Sequence, residues 1–547
     1  MLRFFKTLPR LTILIFCFLG LTLLAVFAYL IARTVMFFFS DYNLFEKTLS
    51  FFLLMAETFI LIHGLGYFIN ILHLLLSKRG IERRVKRESL EGPPPPVAIV
   101  VCSYKEPVEV VRQTLTCFYN LIYPNKHLFF LDDTRYDLAG QDPEKMAAYR
   151  QEIDELCRGL DINLFRRRWH GAKAGLLNDF LDFVDGNPPE GFEYTHNSPR
   201  PRTEKEKYLI VFDADMNPLP GFVEPLTAMM EADPKLAFIQ TPQYYTNFES
   251  NRVAHASGLQ QAVFYEYICE GKSLSDAMFC CGTNVIFRRE ALMDVGKLDH
   301  TSVTEDFATS LRFHKKGWSS AYRNFVCAFG MGPEDLGAYF KQQFRWALGT
   351  VGLFRTIVGE FFRNPRQMSI YKWWEYGLSG THYFVGWALF IMFICPILYL
   401  FLEVPSYFAW PGFYFLFFTP YIILSMTAFF FSMVHRNYRL KDAIRGQMLL
   451  TISFPVYMKA SLLAILGFRG SFQTTPKSGS QSLPLLDLWP QLGMGLLALT
   501  AFVYGMYRIF YLADPQVAAI IANSFWSGYH GLMMLSVLYF NRPEHKT

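Results

Sequence analysis

Apolar stretches long enough to cross a lipid bilayer lie near both ends of this 547-residue chain, while its middle has an ordinary share of charged residues. A bilayer core offers the backbone no hydrogen-bond partners, so stretches of about 20 apolar residues are predicted to cross it as helices. Hydrophobic residues make up 52% of the chain, which argues against a wholly soluble protein. We predict six spanning helices, at residues 11–32, 49–76, 383–402, 413–434, 488–510 and 517–540.

Basic residues set the predicted orientation of these helices. Arg3, Lys6 and Arg10 precede the first, and a run rich in Lys and Arg at residues 78–87 follows the second. Lys and Arg collect on the cytoplasmic side of membrane proteins, so both flanks and the soluble middle are predicted to be cytosolic. No small-residue cleavage site follows the first stretch, so we expect a retained helix rather than a signal peptide.

Charge and cysteine content exclude two classes of function. The net charge is only +5 and dispersed, which does not fit a nucleic-acid partner. The nine cysteines form no CxxC pair and have no His partners at zinc spacing, so we expect reduced thiols, as in the cytosol.

Four regions are predicted from these patterns. They are the N-terminal membrane helices with a basic linker (residues 1–92), a cytosolic domain (93–335), amphipathic interfacial helices (336–380) and a C-terminal transmembrane region (381–547). Within the last region, residues 448–468 contain Pro455 and Lys459. This segment is long enough to cross a membrane, but we favour an interfacial or re-entrant helix, which leaves residues 470–486 in the cytoplasm.

The cytosolic domain alternates short apolar strands with helices, which predicts a parallel α/β sheet of nucleotide-binding type. Three of its strands end in polar side chains. Ligands collect at the carboxyl ends of strands in such sheets, so these side chains are candidate binding residues. They are Tyr104 and Glu106 after the first strand, Asp132 and Asp133 after the second, and Asp213 and Asp215 after the strand at residues 208–212.

Asp213 and Asp215 form a carboxylate pair with one residue between them. Two oxygen ligands of this kind suit a hard divalent cation, which completes its shell with water and substrate phosphates. A solvated Asp-x-Asp turn is the alternative, and the pair alone does not decide between them. Lys173, in the sequence HGAKAG, is a further candidate contact for a phosphate.

A second acidic motif, Thr304-Glu305-Asp306, follows a predicted turn at residues 282–284. A carboxylate can act as general base toward a hydroxyl nucleophile, and Asp306 is the candidate for that role. Glu305 would orient it or serve as a second acid. Thr304 followed by two acids also suits a helix N-terminus, and both interpretations can hold together.

The sequence QQFRW, residues 342–346, places a forked Arg beside an aromatic face. Arg345 can neutralise a diphosphate, and Trp346 can stack on a sugar ring. The alternative is a membrane-surface helix with a snorkelling Arg and an interfacial Trp. Later in the chain, Phe472, Thr474, Thr475 and Lys477 lie in a polar segment that would close over a diphosphate as a lid or serve only as a linker.

In chain order, the motifs SYKE, LDD, AKAGLLN, DAD, GTN, TED, QQFRW and FQTTPK resemble those of processive, membrane-embedded family 2 glycosyltransferases. The resemblance covers roughly residues 97–540 and is strongest to bacterial cellulose synthase catalytic subunits. It implies a GT-A fold, a UDP-sugar donor, Mg²⁺ or Mn²⁺, a growing β-glycan chain, and a multi-pass protein of the plasma (inner) membrane among lipids. Accessory export subunits are compatible with it.

The resemblance also assigns roles to single residues. Tyr104, Glu106, Asp132 and Asp133 would contact the uridine, Asp213 and Asp215 would hold UDP and the metal, and Asp306 would be the general base beside Glu305. Gln342, Gln343, Arg345 and Trp346 would bind the diphosphate and the acceptor end. Phe472 to Lys477 would form a gating loop over the donor, although Thr474 stands where the family has Val.

Two features separate this chain from well-known cellulose synthases. The tail after Phe540 is too short for the cyclic-di-GMP-binding PilZ domain, and only two helices are predicted before the cytosolic domain. The expected activity is secretion of a β-glucan such as cellulose, made from UDP-glucose. β-1,3-Glucan (curdlan) and mixed-linkage synthases share the motifs, so the linkage stays open. A hyaluronan- or chitin-type synthase and a polyprenyl-phosphate single-sugar transferase are further alternatives.

Overall fold

The computed structural model describes residues 10–77, 90, 92–199, 201–202, 204–406, 411–468, 470 and 481–543. The basic run at residues 78–87 and the four predicted gating-loop residues Phe472, Thr474, Thr475 and Lys477 lie outside the described residues.

Two long helices, α1 (Arg10–Phe39) and α2 (Leu44–Leu76), precede the α/β domain. Asn43 begins α2 with a capping box, in which its side chain and that of Glu46 each accept a hydrogen bond from the other's backbone amide. A buried ion pair joins the two helices, with Arg33 Nε 2.9 Å from Glu57 Oε2. Because unpaired charges are costly in such surroundings, this pair favours close packing of α1 on α2.

The middle of the chain holds the strands of the fold. In chain order they are β1 (Val97–Ser103), β2 (Lys126–Asp132), β3 (Asn163–Arg166), β4 (Glu193–Thr195), β5 (Tyr208–Asp213), β6 (Asn217–Pro218), β7 (Leu236–Gln240), β8 (Tyr244–Tyr245), β9 (Val285–Arg288), β10 (Ser319–Tyr322) and β11 (Ala328–Gly330). They form an eight-stranded sheet in the order β10-β7-β9-β5-β1-β2-β3-β4 and a small sheet in the order β6-β11-β8. Strands β1, β2, β3 and β5 are parallel to one another, whereas β4 and β9 run antiparallel to their neighbours.

Helices cover both faces of the large sheet, as the fully buried central strands require. One face packs on side chains of α3 (Val108–Tyr119), α4 (Pro143–Gly159) and α6 (Val223–Ala232), and the other on α5 (Ala172–Asp185) and α9 (Arg289–Asp294). The predicted α/β domain, inserted between membrane helices, is confirmed.

The register of the central strands decides where the candidate site residues meet. Cys102 lies opposite Asp213, and Ser103 lies opposite Asp132. The carboxyl ends of β1, β2 and β5 therefore share one edge of the sheet, where ligands collect in folds of this type.

The remaining helices connect this domain to the membrane region. Residues 252–274 form three consecutive helical segments, of which the middle one is a π-helix. In chain order these helices are α7 (Arg252–Val263), the π-helix (Phe264–Cys269), α8 (Glu270–Leu274), α10 (Glu305–Lys315), α11 (Leu336–Arg363), α12 (Ile370–Thr381), α13 (Val385–Leu402), α14 (Pro411–His435), α15 (Leu440–Ile452), α16 (Phe454–Ile465), α17 (Trp489–Phe510), α18 (Val517–Leu535) and α19 (Val537–Phe540).

Among the described residues, five helical segments are long and apolar enough to cross a membrane, and the bent pair α15–α16 would make six if it counts as one span. These two helices meet at 47°, as in a broken span or a re-entrant loop. The predicted span at residues 517–540 is not among the five, and its position in the membrane stays a prediction. The five segments are Cys17–Phe39, Leu44–Leu74, Ile370–Leu402, Phe415–His435 and Leu485–Phe510.

One apolar segment begins earlier than the sequence predicts. Residues 370–380 are predicted to lie at the interface, but α12 continues through a short 3₁₀ turn into α13, and Ile370–Leu402 forms one apolar segment. Two adjacent tryptophans near the start of this segment are typical of a membrane interface, yet Trp373 is buried against Phe361 of α11.

Candidate active site

A single large cavity of about 1710 Å³ lies at the carboxyl ends of β1, β2 and β5 and continues toward the membrane helices. It brings together most of the residues that the sequence singles out. The predicted site residues that line it are Tyr104, Glu106, Asp133, Lys173, Asp213, Asp215, Glu305, Asp306, Gln342, Gln343, Arg345 and Trp346.

Asp132 is placed differently from its neighbour Asp133. Its carboxylate is buried, lies 2.7 Å from Arg166 Nε, and accepts hydrogen bonds from the Tyr136 hydroxyl at 2.6 Å and the Thr134 amide at 3.1 Å. Asp132 is not among the residues that line the cavity. The Asp132 carboxylate therefore anchors the ends of β2 and β3 and is not directed at a ligand.

Asp213 ends β5 and is held on two sides. Its amide donates a hydrogen bond to Thr283 Oγ1 at 2.9 Å. Lys173 Nζ donates to Asp213 Oδ1 at 2.5 Å and to the Gly282 carbonyl at 2.8 Å. Burial, the largest effect, lowers the pKa of Lys173, but the charge and hydrogen bond of Asp213, together with Cys102 and Glu305, hold the pKa of the ammonium above its ordinary value. Lys173 therefore holds the Asp213 carboxylate of the DAD motif in position.

The donor set at this edge fits a divalent cation that is shared with a ligand. The described residues contain no group of three or more His, Cys, Asp or Glu side chains that could enclose a metal ion. Mg²⁺ is commonly bound by one or two carboxylates together with substrate phosphates. Asp213 and Asp215, both lining the open cavity, match that pattern.

The TED motif begins helix α10 and faces the same cavity. Glu305 and Asp306 occupy its first turn, where the helix dipole favours negative charge. Asp306 Oδ1 accepts a hydrogen bond from the Phe307 amide at 2.8 Å. Thr304 occupies the N-cap position, as the sequence predicts, although its side chain makes no capping hydrogen bond in the described part of the chain. The helix N-terminus and the cavity site therefore coincide at this motif.

The environment of the TED carboxylates raises the pKa of both. Burial raises the pKa of Asp306 to about 6, against the opposing effects of the Phe307 amide, Lys173 and Arg345. Burial, and then the Asp306 carboxylate, raise the pKa of Glu305 to about 7. A carboxylate with a pKa just below neutrality is charged at pH 7 and is a stronger base than an ordinary one.

The absence of a side chain at Gly282 allows the Asp306 carboxylate to pack closely against the backbone of the GTN turn. A Cβ atom at this position would lie 3.1 Å from Asp306 Oδ2, and Gly282 has a φ of +83°. Because only glycine adopts this conformation without strain, the GTN turn and the TED motif form one close-packed unit.

Helix α11 carries the QQFRW motif against this unit. A Cβ atom on Gly349, one turn after Arg345, would lie 2.5 Å from Thr304 Cγ2, so the helix backbone approaches the TED segment closely. Tyr457 of α16 donates a hydrogen bond to Gln343 Oε1 at 3.1 Å. Gln342 Oε1 is buried and has no hydrogen-bond partner among the described residues. An unsatisfied acceptor that lines a cavity is a candidate for ligand contact.

Three further cavity residues were not identified from the sequence. Tyr245 is buried, and its hydroxyl accepts a hydrogen bond from Gln261 Nε2 at 2.6 Å. Arg135 follows β2, and Trp169 follows β3. Trp169 lies four residues before the predicted Lys173, but its sequence surroundings carry no motif that marks an aromatic side chain for binding.

Two family descriptions match the part of the chain that holds this site. "Glycosyl transferase family 2" matches residues 98–296, and "Glycosyl transferase family group 2" matches residues 208–433. Together these matches include the strand-end acids, the TED motif and QQFRW.

Curated relatives point the same way. The cellulose synthase catalytic subunit of Pseudomonas fluorescens is 29% identical over 56% of this chain and 37% of its own length. Cellulose synthase 1 of Komagataeibacter xylinus is 25% identical over 83% of this chain and 27% of its own length. The cellulose synthase 1 catalytic subunit of the same organism is 24% identical over 82% of this chain and 56% of its own length. The chain thus spans 27–56% of the length of these relatives.

Among solved structures, a mannosyltransferase from Pyrobaculum calidifontis in complex with GDP-Man and Mn²⁺ matches 75% of this chain and 99% of its own, with 14% identity and a TM-score of 0.42. The family matches, the curated relatives and the observed sheet agree with one another: residues 98–433 match glycosyl transferase family 2 descriptions on an α/β sheet of the predicted GT-A layout, and the chain is similar to bacterial cellulose synthase catalytic subunits.

Proposed function

We propose that this protein is a processive, inverting β-glycosyltransferase that polymerises a UDP-hexose and moves the product through its own membrane region. The favoured donor is UDP-glucose, and the favoured product is a β-glucan such as cellulose. The observation that carries the proposal is the single cavity that holds Asp213, Asp215 and Asp306 and also reaches membrane helices. The names of the cellulose synthase relatives support the choice of sugar.

Asp306 is the proposed general base. It takes the proton from the terminal hydroxyl of the acceptor glycan as the hydroxyl oxygen attacks the anomeric carbon of the donor. The bond from that carbon to the phosphate oxygen breaks, and UDP leaves with the bonding electron pair. One displacement inverts the anomeric configuration, so an α-linked donor gives a β-linked product. The raised pKa of Asp306 suits this role.

The leaving diphosphate gains negative charge, and cationic groups stabilise it. Arg345 lines the same cavity, and its charge lowers the pKa of both TED carboxyls, so its guanidinium is the cationic group proposed to meet the leaving diphosphate. Lys173 holds the Asp213 carboxylate in place. A divalent cation, Mg²⁺ or Mn²⁺, would be held by Asp213 and Asp215 and would supply charge neutralisation for the diphosphate.

The route for the product follows the cavity away from the sheet. Its wall passes Trp346 and reaches His63 of α2, Val385 of α13, Met433 of α14 and Tyr457 of α16. These helices belong to the apolar segments or to the bent pair described above. A passage with aromatic and polar walls would let a polar glycan cross without meeting lipid. On this proposal the catalytic domain faces the cytosol at the plasma (inner) membrane, as the basic flanks predict.

The test is synthesis by purified full-length protein in detergent or nanodiscs. Labelled UDP-glucose is supplied with Mg²⁺, with Mn²⁺ or with EDTA, and UDP release and polymer are both measured. We expect cation-dependent UDP release and a polymer that a linkage-specific β-glucanase degrades. Digestion by β-1,4- or β-1,3-specific enzymes identifies the linkage. Label that appears only as one sugar on an extractable lipid would contradict the proposal and favour a polyprenyl-phosphate transferase.

A further inference from the structure

An exposed indole stands at the rim of the cavity, on the loop that follows β3. Trp169 is 41% exposed and lines the same cavity as Asp213 and Asp306. The guanidinium carbon of Arg135, which also lines the cavity, lies 4.7 Å from the centroid of the Trp169 ring. Neither side chain has a role in the transfer chemistry described above.

The loop that carries Trp169 is fixed from inside the domain. The side chain of Arg167 is only 1% exposed and lies 3.1 Å from Asp133 Oδ1 and 3.3 Å from Asp179 Oδ2. Arg167 also donates hydrogen bonds to the carbonyl of Arg168 at 2.9 Å and to that of Ala172 at 3.0 Å. These contacts hold the backbone on both sides of Trp169, so the indole is a positioned group rather than a loose one.

The sheet order shows what Trp169 could reach. Strands β5, β1, β2 and β3 are consecutive neighbours. Adjacent strands lie about 4.8 Å apart, which puts the end of β3 roughly 14 Å from the end of β5. The diphosphate is proposed to lie at the end of β5, beside Asp213 and Asp215. A nucleoside that extends from it across the ends of β1 and β2 would bring its base toward the rim formed by Trp169 and Arg135.

We propose that Trp169 and Arg135 form a stacking clamp for the base of the nucleotide donor. This inference rests on the proposed function, which supplies the nucleotide. The guanidinium covers one face of the indole, and the side chain still keeps much of its surface exposed, so a planar base has aromatic surface on which to stack. Base–aromatic stacking is tolerant of base identity because every base has a π-face. The clamp therefore adds affinity for the nucleoside, while polar groups elsewhere select uracil.

The proposed clamp predicts different effects on two ligands of the same site. UDP has a base and a diphosphate, whereas inorganic pyrophosphate has only the phosphates. Loss of one stacking side chain weakens binding by about 5- to 150-fold. We therefore expect W169A to raise the Kd for UDP by at least about fivefold and to leave the Kd for pyrophosphate unchanged. W169F should keep most of the UDP affinity, and R135A should lose less than W169A.

The measurement uses full-length protein in detergent with Mg²⁺, titrated with UDP and separately with pyrophosphate. W318F is the matched control, because Trp318 lies in the same domain, donates its Nε1–H to Asp294 at 2.9 Å and is not among the residues that line the cavity. In turnover assays W169A should raise the KM for the donor with little change in kcat, the signature of lost ground-state binding.

The outcomes distinguish the clamp from the proposed function. Unchanged UDP affinity in W169A overturns the clamp and leaves the transferase proposal standing. Equal losses for UDP and pyrophosphate in both W169A and W169F also overturn it, since Trp169 would then act only through the shape of its loop. Wild-type protein that binds no UDP would overturn the proposed function and the clamp together.

Discussion

The ammonium of Lys173 lies 2.5 Å from the carboxylate of Asp213 and 2.8 Å from the carbonyl of Gly282. These two contacts link the helix after β3, the carboxyl end of β5 and the turn that packs against Asp306. Lys173 thus connects the DAD motif with the GTN and TED motifs. Its positive charge offsets that of Asp213, one of the two carboxylates of the DAD motif. The arrangement makes this lysine central to the geometry of the site.

Replacement of Lys173 by Met should therefore lower the rate of UDP release by about 10- to 100-fold, since a hydrogen bond between charged groups contributes about 1.5–3 kcal/mol. Initial rates at saturating donor measure the effect. K297M is the control, because Lys297 pairs with Asp182 and is not among the residues that line the cavity. A K173M protein with wild-type kcat and KM would show that the link is dispensable.

Replacement of Asp306 by Asn removes the proposed general base with little change in shape. We expect UDP release to fall by about 10²- to 10⁴-fold, the range for loss of a general base. UDP binding, measured by titration, should stay within a few-fold of wild type. D294N serves as control, since Asp294 is outside the residues that line the cavity. Retention of more than a tenth of the wild-type rate in D306N would exclude Asp306 as the base.

The pH dependence follows from the same carboxylate. Burial raises the pKa of Asp306 to about 6, and the base is active only when deprotonated. The chemical step should therefore speed up as pH rises through about 6, and should fall about tenfold per pH unit well below it. Glu305, whose pKa is raised to about 7, would broaden the acidic side of the pH–rate profile. The charges of Lys173 and Arg345 keep the pKa values of both carboxyls from rising further. Single-turnover rates between pH 5 and 8 measure the profile, and a flat profile would contradict this assignment.

A buried ion pair holds the α/β domain against the membrane region. Lys272 Nζ lies 2.5 Å from Glu375 Oε2, with both side chains at most 3% exposed. K272M would leave an unpaired buried carboxylate, at an expected cost of about 3–5 kcal/mol. The double variant K272M/E375M should recover most of that loss. K316M, which breaks the exposed pair with Asp294, should cost less than about 1 kcal/mol.

Thermal unfolding in detergent compares these variants. A large fall in the melting temperature is expected for K272M alone, with partial recovery in the double variant. Equal melting temperatures for K272M and K316M would show that the Lys272–Glu375 pair does not stabilise this junction.

Local pattern was enough to predict the fold class and the strand-end acids. The run YLIVFD is apolar up to its last residue, so it predicts both a buried strand and a carboxylate at its end. The pair Asp132-Asp133 shows the limit of that reasoning. Neighbouring residues at a strand end point to opposite sides, and only Asp133 lines the cavity. Which side faces a ligand depends on packing partners such as Arg166, which is far away in the sequence.

Side chains outside motifs were harder to identify. Trp169 is placed by the tertiary contacts of Arg167, and Tyr245 by a two-residue strand that pairs with β11. Neither arrangement leaves a periodicity or a spacing in the sequence. Helix α12 posed a similar problem, because its Trp-rich start resembles an interfacial belt until Trp373 is seen packed against α11.

The central claim is that the site makes a polymer and passes it through the membrane along the same cavity. The most direct test uses proteoliposomes with the catalytic domain facing outward, supplied with labelled UDP-glucose and Mg²⁺ on the outside. We predict polymer that resists added β-glucanase until detergent opens the vesicles, and no polymer with D306N. Polymer that is fully accessible to the enzyme without detergent, or no polymer at all, would contradict the account.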